Sequence, residues 1–294
     1  MRHLVIFGFG YAASAFARHA AARFDRVSAT TRGRDKAQAM AMAGVVPMLL
    51  DGSDPGGLGR AVADATAVLV SIPPDETGDT VLRHFRQALG AAPRLGWIGY
   101  YSTVGVYGDH RGAWVDEATP VRPVSRRSVQ RARAEEDWRG FAAQSGIPVA
   151  ILRLAGIYGP GRNAFVNLAE GTAKRLVKSG QVFNRIHVED IAAATEAAML
   201  AEAGGVFNVA DDEPAPPQDV VAFAAALMGV PPPPETPFEA AELTPMARSF
   251  YGENKRVANA ATKAALGLRW RHPTYREGLE ALWRDGNWRG TVRV

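Results

Sequence analysis

The 294-residue sequence contains no cysteine, which excludes a disulfide scaffold, a thiolate nucleophile and a Cys-ligated zinc site. Histidine is scarce as well, and the six present are scattered without the i, i+4 pair of a helical zinc motif; no metal site is expected. No apolar run approaches the ~18 residues that a membrane span needs. A charge of one sign is also lacking, since 34 Lys and Arg face 30 Asp and Glu for a net +4. The densest basic stretch, residues 122–133 with five arginines, runs directly into Glu135, Glu136 and Asp137. That pattern is a solvated, ion-paired helix, not a nucleic-acid patch. What is present is globular: 47% apolar and 22% charged residues exclude disorder and fibrous architectures. The length suits one large domain, or a large domain with a smaller lobe.

The first residues imitate a secretory leader, with Arg2 ahead of a mostly apolar stretch rich in Ala and Gly. A closer reading divides them into a buried strand over 4–7, a turn at Gly8 and Gly10, and a helix over 12–22. Nothing is then left over as a signal, and a cytoplasmic location is expected. Further apolar strands are predicted at 27–30, 45–49, 67–71, 95–101, 149–154 and 206–210. Helices are predicted at 14–23, 35–43, 79–89, 126–145 and 187–200. Alternation of this kind specifies an α/β fold, a Rossmann-type doubly wound parallel sheet whose ligands sit beyond the carboxyl ends of the strands. Residues 231–234, four prolines, mark a connector. The C-terminal third, with Trp270, Trp283 and Trp288, is expected to form a smaller lobe over the sheet edge.

Gly8-Phe9-Gly10-Tyr11-Ala12-Ala13 is a GxGxxA between strand and helix. The first glycine permits the tight turn, the second lets a pyrophosphate approach the backbone, and Ala13 allows close helix packing. In that position the motif points to a dinucleotide. The second strand discriminates between cofactors, because an NAD site places an Asp or Glu about 20 residues on, whereas this chain reads Ser28-Ala29-Thr30-Thr31-Arg32-Gly33-Arg34. Arg32 and Arg34 suit a 2′-phosphate, so NADP is expected ahead of NAD.

With Tyr101-Ser102-Thr103-Val104-Gly105-Val106-Tyr107-Gly108 and Arg153-Leu154-Ala155-Gly156-Ile157-Tyr158-Gly159-Pro160-Gly161, the sequence resembles the extended short-chain dehydrogenase/reductases, the NAD-dependent epimerase/dehydratase family. Glu117 followed by Pro120 and Pro123, then His187-Val188-Glu189-Asp190 and Phe207-Asn208-Val209, extend the likeness through most of the chain. The resemblance implies a Rossmann domain over 1–158, to which 184–210 returns, and a mainly substrate-binding lobe over 159–294. It also implies a polar small-molecule substrate, often a nucleotide-sugar. On the same basis Thr31, Asp51, Ser71, Ile72, Pro73, Ala155 and Gly156 join Gly8, Phe9, Gly10, Tyr11, Ala12, Arg32 and Arg34 as cofactor-site residues.

The catalytic segment departs from that pattern. Thr103 fills the family's Ser/Thr place, but aligning Pro123, Ser125 and Glu135 puts Arg127 where the tyrosine of YxxxK belongs and Arg131 where its lysine belongs. Arginine keeps its proton near neutrality, so the family's proton donor is absent, although Arg131 can still hold a ribose. Three readings stay open. One is an atypical NAD(P)-dependent epimerase/dehydratase or reductase with Tyr101, Tyr107, Tyr158 or His187 as donor. In another, Arg127 recognises an anionic substrate by bidentate bonds. The third is an inactive NADP(H) sensor or partner-binding protein. Arg162 and Asn163, and less so Lys255 and Arg256, are candidate substrate contacts. No nucleic-acid or membrane partner is expected, and the arginine-rich face of the 126–145 helix leans toward a monomer over a homodimer.

Overall fold

The structure, a computed structural model, describes residues 1–50 and 55–290. The first half alternates β1 (His3–Phe7), α1 (Tyr11–His19), β2 (Arg26–Thr31), α2 (Arg34–Met42), β3 (Val46–Leu49), α3 (Pro55–Ala63), β4 (Ala67–Val70), α4 (Thr80–Gly90) and β5 (Trp97–Thr103). A short β6 (Trp114–Val115) and the long α5 (Arg126–Ser145) lead to β7 (Val149–Leu154). Next come β8 (Gly156–Tyr158), α6 (Ala164–Ala169), β9 (Arg175–Val177), β10 (Arg185–His187), α7 (Val188–Leu200) and β11 (Gly205–Val209). The remaining elements are α8 (Pro217–Met228), β12 (Glu235–Pro237), α9 (Pro245–Phe250), β13 (Arg256–Val257), α10 (Ala260–Leu266) and α11 (Tyr275–Arg284).

Seven strands form one parallel sheet in the order β11-β7-β5-β4-β1-β2-β3. The order reverses at β1, which places the mouth of a ligand crevice above its carboxyl end. Alternate residues of each strand enter opposite layers. Leu4 and Ile6 join Ala13 and Phe16 of α1 and Ile191 and Ala194 of α7. Val5 and Phe7 join Leu58 and Val62 of α3, Leu82 of α4, and Trp138 and Phe141 of α5. Both faces of the central strands are therefore dry, which is why β1, β4 and β7 read as largely apolar runs.

Helix α3 was not legible in Pro55-Gly56-Gly57-Leu58-Gly59, where each glycine costs about 1 kcal/mol of helix propensity. Burial of Leu58, Ala61 and Val62 against the sheet offsets that cost. A separate apolar cluster forms where Tyr158 and Phe165 meet Val220 of α8 and Tyr275, Leu279 and Leu282 of α11, and Trp288 packs on it. Trp270 departs from the expected grouping with Trp283 and Trp288. It is 6% exposed and belongs to the core of the main sheet. The pairing of β13 with β6 likewise draws residues 256–257 back toward the sheet's carboxyl edge.

Candidate cofactor and substrate site

The glycine turn is built by its neighbours. Gly8 has φ +88°, and a Cβ there would lie 2.4 Å from Ile72 Cγ2; its N–H donates to Thr30 Oγ1 at 2.8 Å. Ser71 and Ile72 both donate to the Phe7 carbonyl, which sets the 71–73 segment beside the turn. Phe9 is a core residue, 6% exposed, and Ala12 and Ala13 are buried on the core face of α1. Gly10 caps α1 without a side-chain hydrogen bond, and nothing lies within 4 Å of where its Cβ would stand. The result is an open helix end whose first N–H groups face the crevice, a fit for a diphosphate.

At the end of β2, Thr31 occupies the last strand position, and Arg32 and Arg34 are exposed beside it. Asp51 lies outside the described residues. Across the crevice, Ala155 is buried and Gly156 exposed at the carboxyl end of β7, which Ala155 extends by donating to the Val209 carbonyl.

The helix bearing the two arginines is anchored by a buried charge cluster that the sequence did not announce. Glu135 of α5, 1% exposed, accepts from Arg153 Nη2 at 2.7 Å and from Ser102 Oγ at 2.5 Å. This fixes α5 against β5 and β7. Arg131 then donates through Nη1 to the Tyr101 carbonyl at 2.7 Å and to the Tyr100 hydroxyl at 3.2 Å. Arg127, one turn earlier, is exposed, with its guanidinium 5.7 Å above the Phe250 ring. Thr103 ends β5, half-buried, and its Oγ1 accepts from the Gly105 N–H at 3.1 Å. Gly105 packs on Ser128, a buried α5 residue that motif reading passed over; a Cβ at Gly105 would lie 2.9 Å from Ser128 Oγ.

Of the four alternative proton donors, the three tyrosines have their hydroxyls engaged inside the protein, and His187 is buried with its Nε2 unpartnered among the described residues. The Tyr101 hydroxyl shares a hydrogen bond with Thr195 Oγ1, the Tyr107 hydroxyl donates to Asn208 Oδ1, and that of Tyr158 donates to the Thr274 carbonyl. Burial raises the pKa of all three phenols. His187 is 2% exposed and caps α7, its Nδ1 accepting from the Glu189 N–H. Burial first, and His272 second, lower its pKa and keep it neutral. Asp190 takes the backbone N–H groups of Arg271 and His272, and His272 Nε2 bonds Glu189. His187, Asp190 and His272 bring one donor atom each within 4.8 Å of one another; Asp190 and Glu189 latch α7 to the 271–272 segment, and the His187 ring lies 3.9 Å from that of His272.

The suggested substrate contacts divide. Asn163 is structural, capping α6 and donating to the Gly159 and Trp288 carbonyls. Lys255, 6% exposed, donates to the Gly108 carbonyl and pairs with Glu253, and Arg256 donates to the Gly112 carbonyl. Arg162 is exposed, over the Tyr11 ring.

A sequence profile of the NAD dependent epimerase/dehydratase family matches residues 6–210. The chain belongs to this family. Within it, the chain is 30% identical over 249 residues to Protein YeeZ of Escherichia coli (strain K12), covering 79% of this chain and 86% of that protein. It is 31% identical over 160 residues to a 3-diazoavenalumate denitrifying reductase of Streptomyces sp, about half of each chain. A solved structure of a functionally unknown conserved protein from Silicibacter pomeroyi DSS matches with a TM-score of 0.88 at 46% identity, covering 97% of this chain and 99% of that one. The family's cofactor is NAD-type, and the open α1 end at the sheet's switch point is the part of this chain suited to it.

Proposed function

We propose that the protein is an NADP(H)-dependent reductase that acts on an anionic small molecule without a tyrosine proton donor. The observation that carries this reading is the pair of arginines at the YxxxK positions beside a retained Thr103, with every nearby tyrosine hydroxyl engaged inside the protein. When bound, the reduced cofactor supplies a hydride. The chain's residues hold and orient. The 8–11 turn receives the diphosphate, Arg32 and Arg34 the 2′-phosphate, and 71–73 the adjoining ribose face. Arg127 engages a carboxylate or phosphate of the substrate through two N–H groups, and the Thr103 hydroxyl donates to a substrate oxygen. Arginine holds charge but releases no proton near neutral pH, so the site suits an electrophile that needs electrostatic help rather than a protein acid. The name of the Streptomyces relative describes a reduction with loss of nitrogen, which accords with hydride displacing a leaving group instead of generating an alkoxide.

Titrating the protein with NADPH and NADH, followed by tryptophan quenching, tests the cofactor. Arg32→Ala with Arg34→Ala is expected to weaken NADPH by about ten- to hundredfold, the worth of one or two charge-assisted bonds, and to leave NADH unchanged. Equal loss of both would remove the 2′-phosphate role. For the substrate, NADPH consumption across aldehydes, ketones and diazo compounds with and without a carboxylate is the measurement. Arg127→Ala is expected to lower kcat/KM about tenfold or more for the carboxylates alone. The lost tyrosine also favours a second reading, binding without turnover. Tight NADPH binding with no consumption by any substrate would select it.

A further inference from the structure

The start of α7 and the 271–272 segment bring together three side chains that the cofactor and substrate reading does not use. His187 at the cap and Asp190 in the first turn of α7 are three residues apart and share one side of the helix start. His272 meets them from the segment ahead of α11. One donor atom of each lies within 4.8 Å of the other two, and the three residues are 2%, 1% and 4% exposed. The imidazole rings are 3.9 Å apart between centres. His187 Nε2 is sealed from solvent and has no partner among the described residues. A buried ring nitrogen without a partner is costly, and it points to a group that completes it.

The surroundings suit a metal ion. His272 Nε2 donates to the Glu189 carboxylate at 3.1 Å, which fixes the ring proton there and leaves the Nδ1 lone pair free. A carboxylate behind an imidazole is the outer layer that metal-ligating histidines use. Asp190 accepts the Arg271 and His272 N–H groups at 2.7 and 3.1 Å, one on each oxygen, so it is held in place while each oxygen keeps a lone pair. Burial, and His272 after it, keep His187 neutral, the form that binds metal. Its Nδ1 accepts the Glu189 N–H across a long 3.3 Å; ligation through Nε2 moves the ring's one proton to Nδ1 and gives up that weak bond. His272 also lines a surface depression of about 210 Å³, with Glu277 and Glu280 offsetting Arg271 and Arg284 on its walls. That depression supplies an entry path.

We infer that His187, Asp190 and His272 form a binding site for a divalent transition ion of the zinc class, with the fourth position taken by water from the depression. Two imidazoles and a carboxylate favour zinc, cobalt or nickel over magnesium or calcium. Tetrahedral ligation at about 2.1 Å sets donors about 3.4 Å apart, so binding draws the widest pair together by roughly an ångström. The ion thereby tightens the start of α7 against the 271–272 segment. Sequence spacing does not announce the site, because the third ligand lies 82 residues beyond the second. None of the proposed cofactor or substrate residues takes part, and the inference does not depend on that reading.

The test uses the full chain without a histidine tag, freed of metal by a chelator. Calorimetric titration with zinc chloride is expected to show one ion per chain with a Kd of about 10 μM or tighter, and magnesium chloride should not bind. His272→Gln keeps a donor for Glu189 but no metal ligand, and is expected to weaken zinc at least about a hundredfold. His84→Gln, which alters an exposed histidine, should leave zinc binding unchanged. Saturating zinc should raise the melting midpoint of the wild type by several degrees and leave that of His272→Gln where it was. Cobalt chloride added to the wild type needs no variant: intense visible bands mark a four-coordinate site, and weak bands a six-coordinate, water-bound ion. Absence of zinc binding, equal zinc affinity in His272→Gln, or weak six-coordinate cobalt bands each overturns the assignment.

Discussion

Glu135→Ala is expected to destabilise the protein by about 3–5 kcal/mol, the cost of stranding a buried charge. Arg153, 2% exposed, donates to this carboxylate through Nε and Nη2, and the Ser102 hydroxyl turns to the same group. Removing the acid leaves a guanidinium in a dry interior with only the face of Tyr107, 4.7 Å away, to lie against. Against a typical total of about 5–15 kcal/mol, the variant would lose from about a fifth to all of its stability. Urea unfolding of Glu135→Ala, Arg153→Met and the Glu135→Leu, Arg153→Met pair measures it. The double variant should recover most of the loss, since an apolar pair of similar volume replaces an ion pair at little net cost. A single-variant cost below about 1 kcal/mol would mean that water reaches the pair. The cofactor titration would weaken along with stability, because this cluster sets the position of α5 and so of Arg127 and Arg131.

Gly108→Ala should be nearly as damaging, for a different reason. Gly108 has φ +73°, and a Cβ there would fall 2.0 Å from the Arg122 carbonyl oxygen. Neither can yield cheaply, because the obstruction is backbone. With ψ −148° the backbone lies in a region essentially confined to glycine, which costs another residue about 1–3 kcal/mol, and forced displacement costs about 1–3, so a loss of about 2–6 kcal/mol is expected in thermal or urea unfolding. The shift would spread, since Gly108 donates to the Gly105 carbonyl, Arg122 to that of Val106, and Lys255 to that of Gly108 itself. An unchanged midpoint would show that the 121–124 segment moves aside freely.

The sheet was legible because its central strands β1, β4 and β7 are dry on both faces and therefore written largely in Val, Ile, Leu and Ala; 149–154 was read to the residue. The GxGxxA turn was equally plain, but the Thr30 hydroxyl that supports it was not, since one threonine in a strand looks like any other. Asp79 was read as the first residue of α4 and is its cap, accepting from the Val81 and Leu82 N–H groups. Two-residue strands such as β6 and β13 carry no periodicity to read. The tyrosines and His187 are candidate donors by residue type, and the partners that occupy the three hydroxyls and the burial of His187 are properties that a one-dimensional pattern does not hold. Trp270 was misplaced for the same reason: aromatic residues mark a core without saying which.

The fastening of Gly161 and Asn163 to the Trp288 carbonyl also orders events during synthesis. β1 and the glycine turn are made well before residues 159–163, and that turn, which the Tyr11 hydroxyl holds by the Pro160 carbonyl, stays unfastened until residue 288 has been made. A nascent chain can build the central strands and their flanking helices early. The 159–163 turn and the start of α1 that it meets are therefore completed only after residue 288 has been made, later than the central strands.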